Sequence, residues 1–280
     1  MLSDRILGLA IAMVVAAALI MRDAWADILR VALRDAELSY VLLAPAVIAW
    51  LIWVRRARLR QTTAYGGWVG ILVIMIGWLT YWYGYYTDPV IWRAGAVITA
   101  VGAFIAFMGF GLAVRWAPAL FATVFLIPVD PTGRYHIAGP LEEITARLSE
   151  NVCDLLGIAV SRSGNLLMVN GMGVGIGEAC NGMRMILTLF LVCYVVAFSM
   201  PLRGYLRFLF LIATPFVAVI SNVIRLVPTA WMFGHRSIEA AQRFHDISGW
   251  VMTFLAFILL MGFFRLLQWA TNSAIYRTAV

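Results

Sequence analysis

The chain is 280 residues long, 63% hydrophobic and only 12% charged, against roughly 25% charged residues in an ordinary soluble domain. That balance excludes a freely soluble enzyme and points to a polytopic membrane protein. The formal net charge of +7 comes from arginines without a single lysine, scattered between apolar stretches. It reads as a set of topology signals and not as a nucleic-acid-binding surface.

A bilayer crossing takes roughly 17–25 mainly apolar residues. In chain order the candidate spans are 6–21, 38–54, 67–85, 91–114, 116–129, 181–200, 206–232 and 247–267. The expected fold class is an all-α polytopic membrane protein of about eight transmembrane helices. One integral membrane domain, 1–280, would comprise N-terminal helices (1–129), an extracytoplasmic segment (130–180) and C-terminal helices (181–270). Ala24-Trp25-Ala26, just past the first span, looks like a signal-peptide cleavage site. With only Arg5 ahead of it, the segment reads instead as a retained helix. The fifth span is short, lies between Pro118 and Pro128, and also suits a re-entrant loop.

Arginines in short loops orient the bundle. Arg55, Arg56, Arg58 and Arg60 follow the second span and belong on the cytoplasmic side. Counting forward puts Arg115, Arg203, Arg207, Arg265 and Arg277 inside as well, with both termini. Asp88, the 130–180 segment and the 233–246 loop then lie outside. If the fifth span did not cross, this parity would reverse; Arg203 and Arg207 in their short loop argue against that.

Within the outer segment, Leu141, Ile144, Leu148, Val152 and Leu155 recur at helical spacing, with Glu142, Glu143, Arg147, Glu150 and Asp154 largely opposite. This is the pattern of a short amphipathic surface helix. Asn170-Gly171 between Leu166–Val169 and the Gly-alternating run 172–177 predicts a tight hairpin. Its glycines leave one strand face bare, open to another backbone such as an extended peptide, or simply part of a Gly-rich loop.

The hairpin leads into Gly177-Glu178-Ala179-Cys180-Asn181-Gly182-Met183-Arg184, at the start of the sixth span. A thiol there feels the helix dipole and Arg184 one turn on, and both favour thiolate. Arg225 lies about 8 residues, roughly 12 Å, below the outer end of the seventh span. His245 precedes the eighth on the same side. Ionisable groups inside or at the rim of a membrane are costly and default to a functional reading. A Cys, an Arg and a His gathered on one face point to nucleophilic acyl transfer. Cys193, mid-span, reads as a small buried hydrophobe. Cys153 shares no metal-ligand or CxxC spacing with the other cysteines. His235 competes with His245 but lacks the following Gly-Trp, and His136 ranks lower.

Three ordered elements carry a family resemblance. Glu178-Ala179-Cys180-Asn181-Gly182-Met183-Arg184 resembles the E-A-C-[ST]-G-x-[RK] signature of the exosortase/archaeosortase family. Asn222-Val223-Ile224-Arg225 is similar to its N-x-x-R element, and His245 through Gly249-Trp250 to its H-x-x-x-G-W element. Asn181 departs from the usual Ser or Thr; an amide caps a helix as a hydroxyl does, but a proton-donating role would not carry over. No soluble domain is expected after the last span.

The resemblance implies a membrane cysteine protease or transpeptidase. It would process C-terminal sorting signals (motif, hydrophobic helix, basic tail) of exported proteins through a thioester, then transfer the new carboxyl end to an envelope polysaccharide or lipid acceptor. Cys180 would be the nucleophile, His245 the general acid/base, and Arg225 the stabiliser of thiolate and oxyanion. Asn222, Glu178, Asn181 and Arg184 would support them. The implied setting is the cytoplasmic (inner) membrane, surrounded by lipid, with the site facing the extracytoplasmic side. No cofactor, metal or nucleic acid is expected. The rival classes are a transporter, which would depend on Arg225 without needing a thiol, and a non-catalytic envelope-assembly scaffold, which would tolerate loss of Cys180.

Overall fold

Long apolar runs fold as helices in a bilayer because lipid offers the backbone no other hydrogen-bond partners. A computed structural model describes residues 4–56, 67–169, 172–175, 182–200 and 202–277. Among them, five helices are long and apolar enough to cross a membrane: Ala36–Val54, Gly67–Thr87, Pro89–Met108, Gly204–His235 and Ile238–Trp269. The bent pair Gly8–Ile20 and Arg22–Arg34 adds a sixth if it counts as one span. The protein is therefore an all-α polytopic membrane protein. A count of eight would also need the shorter apolar helices Ala117–Leu126 and Ile186–Ser199. The expected 91–114 span is interrupted at Gly109, where a φ of 81° ends one helix and starts the next. Arg58 and Arg60 of the basic cluster lie outside the described residues.

The chain divides into two compact units, Met1–Asp130 and Pro131–Val280. In the first, α1 (Asp4–Ile20) and α2 (Arg22–Arg34) meet at an 80° bend. The amphipathic α2 buries Ala24, Ile28 and Ala32. Its Asp27 accepts from Arg93 Nη2 at 2.7 Å, from Arg93 Nε at 2.9 Å and from Arg30 Nη1 at 3.1 Å. A 3₁₀ turn leads into α3 (Ala44–Val54), then α4 (Gly67–Thr87) and α5 (Pro89–Met108) form a hairpin. Asp88 caps α5 by accepting from Val90 N at 2.6 Å, with Pro89 at the first helical position. Gly70, Gly77 and Gly84 recur every seven residues on α4 and are its buried positions. A Cβ at Gly77 would meet the Thr99 backbone, and one at Gly84 the Trp92 backbone. The helices are in backbone contact, the small-residue packing that membrane helices use. Two short helices, α6 (Phe110–Arg115) and α7 (Ala117–Phe121), and a 3₁₀ turn complete the unit.

The second unit opens with α8 (Pro131–Leu155) and a three-stranded antiparallel sheet, β1 (Ser161–Ser163), β2 (Leu166–Val169) and β3 (Met172–Gly175). Val169 pairs with Met172, as a two-residue connection requires; Asn170 and Gly171 themselves lie outside the described residues. Then come α9 (Gly182–Ser199), α10 (Gly204–His235) and α11 (Ile238–Arg277). Leu189, Cys193 and Ala197 of α9 pack with Phe210 and Ala218 of α10 and with Ala256, Leu260 and Phe264 of α11. Arg162 donates to Glu150 at 3.0 Å and Asn165 to Glu142 at 3.1 Å, pinning the sheet to α8.

Two sequence expectations change here. Helix α8 starts nine residues before 140, with Pro140 inside it, and β1 adds a strand to the expected hairpin. The buried face of α8 is also not its large apolar stripe. Ala146, Ser149 and Cys153 are fully buried, while Ile144, Leu148 and Leu155 are exposed. Small side chains let α8 approach α10 closely, and the bulkier stripe is left uncovered.

Candidate active site

The site is built on the α10–α11 hairpin. Arg225 lies ten residues before the end of α10 and His245 seven residues after the start of α11. At about 1.5 Å per residue, the antiparallel turn brings both to a similar depth. Arg225 Nη2 lies 2.6 Å from His245 Nε2 and also donates to the His245 carbonyl at 3.3 Å. Arg225 is 4% exposed, which for a permanent cation demands close polar partners.

The geometry fixes the imidazole tautomer. A guanidinium only donates, so Nε2 accepts and the ring proton sits on Nδ1. Nδ1 then donates to Asp246 Oδ1 at 3.1 Å. His245 is thus held neutral between a cation and a carboxylate, with its Nε2 lone pair occupied by Arg225. Further bonds steady the backbone. Ser248 Oγ donates to the His245 carbonyl at 2.9 Å, and Thr229 Oγ1 to the Arg225 carbonyl at 2.7 Å.

Gly249 explains the spacing that follows the histidine. It stands one turn beyond His245, and a Cβ there would lie 3.1 Å from Arg225 Nη2 and 3.3 Å from its Cζ. Only glycine lets the guanidinium lie against α11 without displacement. Asn222, one turn before Arg225, is also 4% exposed, and its Oδ1 has no hydrogen-bond partner among the described residues. Sequence reasoning missed Asp246, whose signal was its adjacency to His245, and gave no physical role to Gly249.

Cys180, Glu178 and Asn181 lie outside the described residues. Arg184 falls in the first turn of α9. The elements on either side of this segment converge on α10. Leu167 of β2 packs with Leu226, and Val169 with Val227 and Ala230, while β3 pairs with β2 and α9 packs on α10 and α11.

The competing histidines stand apart. His235 is nearly three turns beyond Arg225; its ring stacks on Trp231 at 5.0 Å and its Nδ1 donates to the Trp231 carbonyl. It borders a pocket of about 440 Å³ with Pro228 and Leu156. His136 is exposed on α8 beside Tyr135. Cys153 and Cys193 are free and buried, and burial pushes the Cys153 thiol up from its ordinary value, as in an inert thiol. No group of three His, Cys, Asp or Glu side chains among the described residues could hold a metal ion.

Comparison with family models returns Transmembrane exosortase (Exosortase_EpsH), matched over residues 25–262. The chain belongs to the transmembrane exosortase family. Comparisons with curated proteins and with solved structures return no match. The match to the exosortase family runs from α2 into α11 and includes both halves of the Arg225–His245 pair. Membership supports a general role in membrane transpeptidation and protein sorting, with exported proteins as substrates.

Proposed function

We propose that this exosortase-family protein is a membrane cysteine protease/transpeptidase that cleaves C-terminal sorting signals of exported proteins. It would sit in the cytoplasmic membrane with its site on the extracytoplasmic side. The observation that carries this reading is the Arg225–His245 pair at 2.6 Å, with Arg225 buried, on helices against which α9 and, through β2, the hairpin before the Cys180 segment pack.

Cys180 is the nucleophile. It lies two residues before the start of α9, where the helix dipole favours thiolate. As the carbonyl of the scissile peptide binds, Arg225 transfers its hydrogen bond from Nε2 to that oxygen and frees the imidazole. His245 Nε2 takes the thiol proton while the sulfur–carbon bond forms, and Arg225 stabilises the oxyanion. Collapse breaks the C–N bond, His245 gives its proton to the leaving amine, and a thioester remains. An acceptor hydroxyl, amine or water then attacks, losing its proton to His245. The thiol leaves with that proton. Asn222, with its buried Oδ1 unpartnered among the described residues, accepts a backbone N–H of the bound substrate segment. Glu178, Asn181 and Arg184 fix the start of the helix.

The test is Cys180→Ala, compared with the native protein in the same cells by intact mass of C-terminal peptides from exported membrane-fraction proteins. Tailed precursors should accumulate only with the variant, and the mature mass in native cells should identify the acceptor. Unchanged processing by a well-expressed variant would make Cys180 structural and remove the proposal.

A further inference from the structure

The small sheet of the second unit has two edges, since its strand order is β1-β2-β3. The β1 edge is tied to α8, where Arg162 donates to Glu150 at 3.0 Å. The middle strand, β2, seats the sheet on α10: Leu167 is buried beside Leu226, the residue after Arg225, and Val169 beside Val227 and Ala230. Among the described residues, β3 pairs with β2 alone.

Register decides what β3 offers. Val169 pairs with Met172 across two residues, and such a turn closes with the Met172 N–H on the Val169 carbonyl. Antiparallel partners then alternate between hydrogen-bonded and non-hydrogen-bonded pairs. Met172 and Val174 therefore direct their N–H and C=O groups at β2, while Gly173 and Gly175 direct theirs along the opposite edge. An edge of unpaired donors and acceptors is a template for an added strand. Both positions that carry them are glycine, which marks close approach of another backbone.

The occupant follows from what lies downstream. Gly175 is five residues before Cys180, no more than about 17 Å of extended chain. A helical carbonyl is engaged by the N–H four residues on, so a sorting signal must be extended where it is cut. Beside a bilayer, its freed N–H and C=O groups need partners, and the β3 edge presents them in alternation. Direction agrees as well. On the proposed topology the enzyme chain runs from β3 past Cys180 into α9, entering the membrane from outside. A sorting signal runs the same way, from its motif past the cleaved bond into its hydrophobic helix. A signal strand parallel to β3 brings its scissile end toward Cys180 and its helix toward α9. An antiparallel strand would carry both toward the hairpin turn.

We infer that the extended stretch of the signal just before its hydrophobic helix adds to the sheet as a strand parallel to β3, held by the backbone groups of Gly173 and Gly175. The inference rests on the proposed sorting-signal function and assigns the surface that holds the signal.

The experiment uses the full-length Cys180→Ala protein in phosphatidylcholine nanodiscs, which binds a signal without turning it over. The probe is a synthetic peptide with the signal sequence of a tailed precursor from Cys180→Ala cells, N-methylated on its backbone at one residue at a time. Methylation at every second residue before the helix should weaken binding roughly tenfold, as loss of one buried hydrogen bond does. Methylation at the residues between should not. Weakening at consecutive residues, or at none, overturns the inference. This scan leaves the protein unaltered, so it stands whether or not a glycine variant folds. Polarity is read from Gly173→Cys and Gly175→Cys in the same background, oxidised with peptides carrying single cysteines. The favoured peptide position should move about two residues toward the helix between the first variant and the second. A move the other way overturns the parallel strand, and disulfides between two copies of the chain in place of peptide links make the edge a dimer seam. The two readings fail apart. Without tailed precursors in Cys180→Ala cells the proposed function falls and takes the inference with it; with precursors but no two-residue alternation, only the strand is lost.

Discussion

At the residue scale the site is a contest for one lone pair. Arg225 occupies His245 Nε2 in the resting protein, and the same atom must take a proton for the proposed chemistry to run. Arg225→Lys keeps the charge but loses the rigid planar guanidinium that aims Nη2 at both Nε2 and the carbonyl of His245. Signal processing by this variant should fall by about 10²–10³, the range for removing an oxyanion donor, with protein level and membrane insertion unchanged. Single-turnover cleavage of a C-terminal sorting-signal peptide measures it. A loss below threefold would reassign Arg225 to packing. Gly249→Ala probes the same guanidinium from the opposite side. Its Cβ would press on Arg225 at 3.1–3.3 Å, so the guanidinium must shift by a few tenths of an ångström, at the expense of its contact with His245. Activity should drop at least tenfold while thermal stability changes little, because the guanidinium can withdraw. Unaltered activity would mean that the pairing seen here is not the working one. Counting residues along the spans put Arg225 and His245 on one side of the membrane but at different depths, with His245 in a 233–246 loop; the start of α11 at Ile238, which hydropathy did not reveal, brings them to one level. The role of Gly249 was not legible, because a missing Cβ matters only once the group that needs its space is known. Asp246 was hidden likewise, as any acid near a membrane surface is ordinary.

At the element scale, apolar length identified most helices, but their packing faces were carried by small residues that hydropathy undervalues. Helix α8 buries Ala146, Ser149 and Cys153 and leaves Ile144 and Leu148 exposed, the reverse of what an amphipathic stripe in water predicts. On α8 close approach decides instead: the small Ala146 and Cys153 pack on Leu226, Val227 and Ala230 of α10. The α4–α5 hairpin makes the same point through Gly70, Gly77 and Gly84. Gly77→Leu would drive a side chain into Thr99, whose Oγ1 already donates to the Gly95 carbonyl at 2.8 Å. The backbones cannot part without losing the whole interface. This variant should be destabilised by more than the roughly 1–3 kcal/mol of ordinary overpacking, read as a lower melting temperature in detergent. Leu79→Ala, on the exposed face of the same helix, should be near neutral. Equal effects of the two changes would show that α4 and α5 are not held by backbone contact.

At the scale of the whole molecule, what remains is parity. Hydropathy sees the short helices Ala117–Leu126 and Ile186–Ser199 only weakly, yet whether Ala117–Leu126 crosses decides which side of the membrane carries the Arg225–His245 pair. Arginine placement provides an independent constraint. Arg203 and Arg207 lie in the short connection between α9 and α10, and cytoplasmic retention of short basic loops is the stronger rule than any charge in a long segment. If that connection is cytoplasmic, the opposite end of α10, the 236–237 turn and the sheet packed on the outer half of α10 face outward. Gly164, at a φ of 64° in the β1–β2 turn, has open space around it and accepts an inserted protease site without disturbing the core. In intact spheroplasts an external protease should cut there, whereas a site inserted beside Arg203 should be cut only after lysis. The reverse pattern would place the hairpin and the histidine in the cytoplasm. Exported proteins would then have to present their tails before translocation, and a transpeptidase acting on an envelope acceptor would be ruled out by geometry alone.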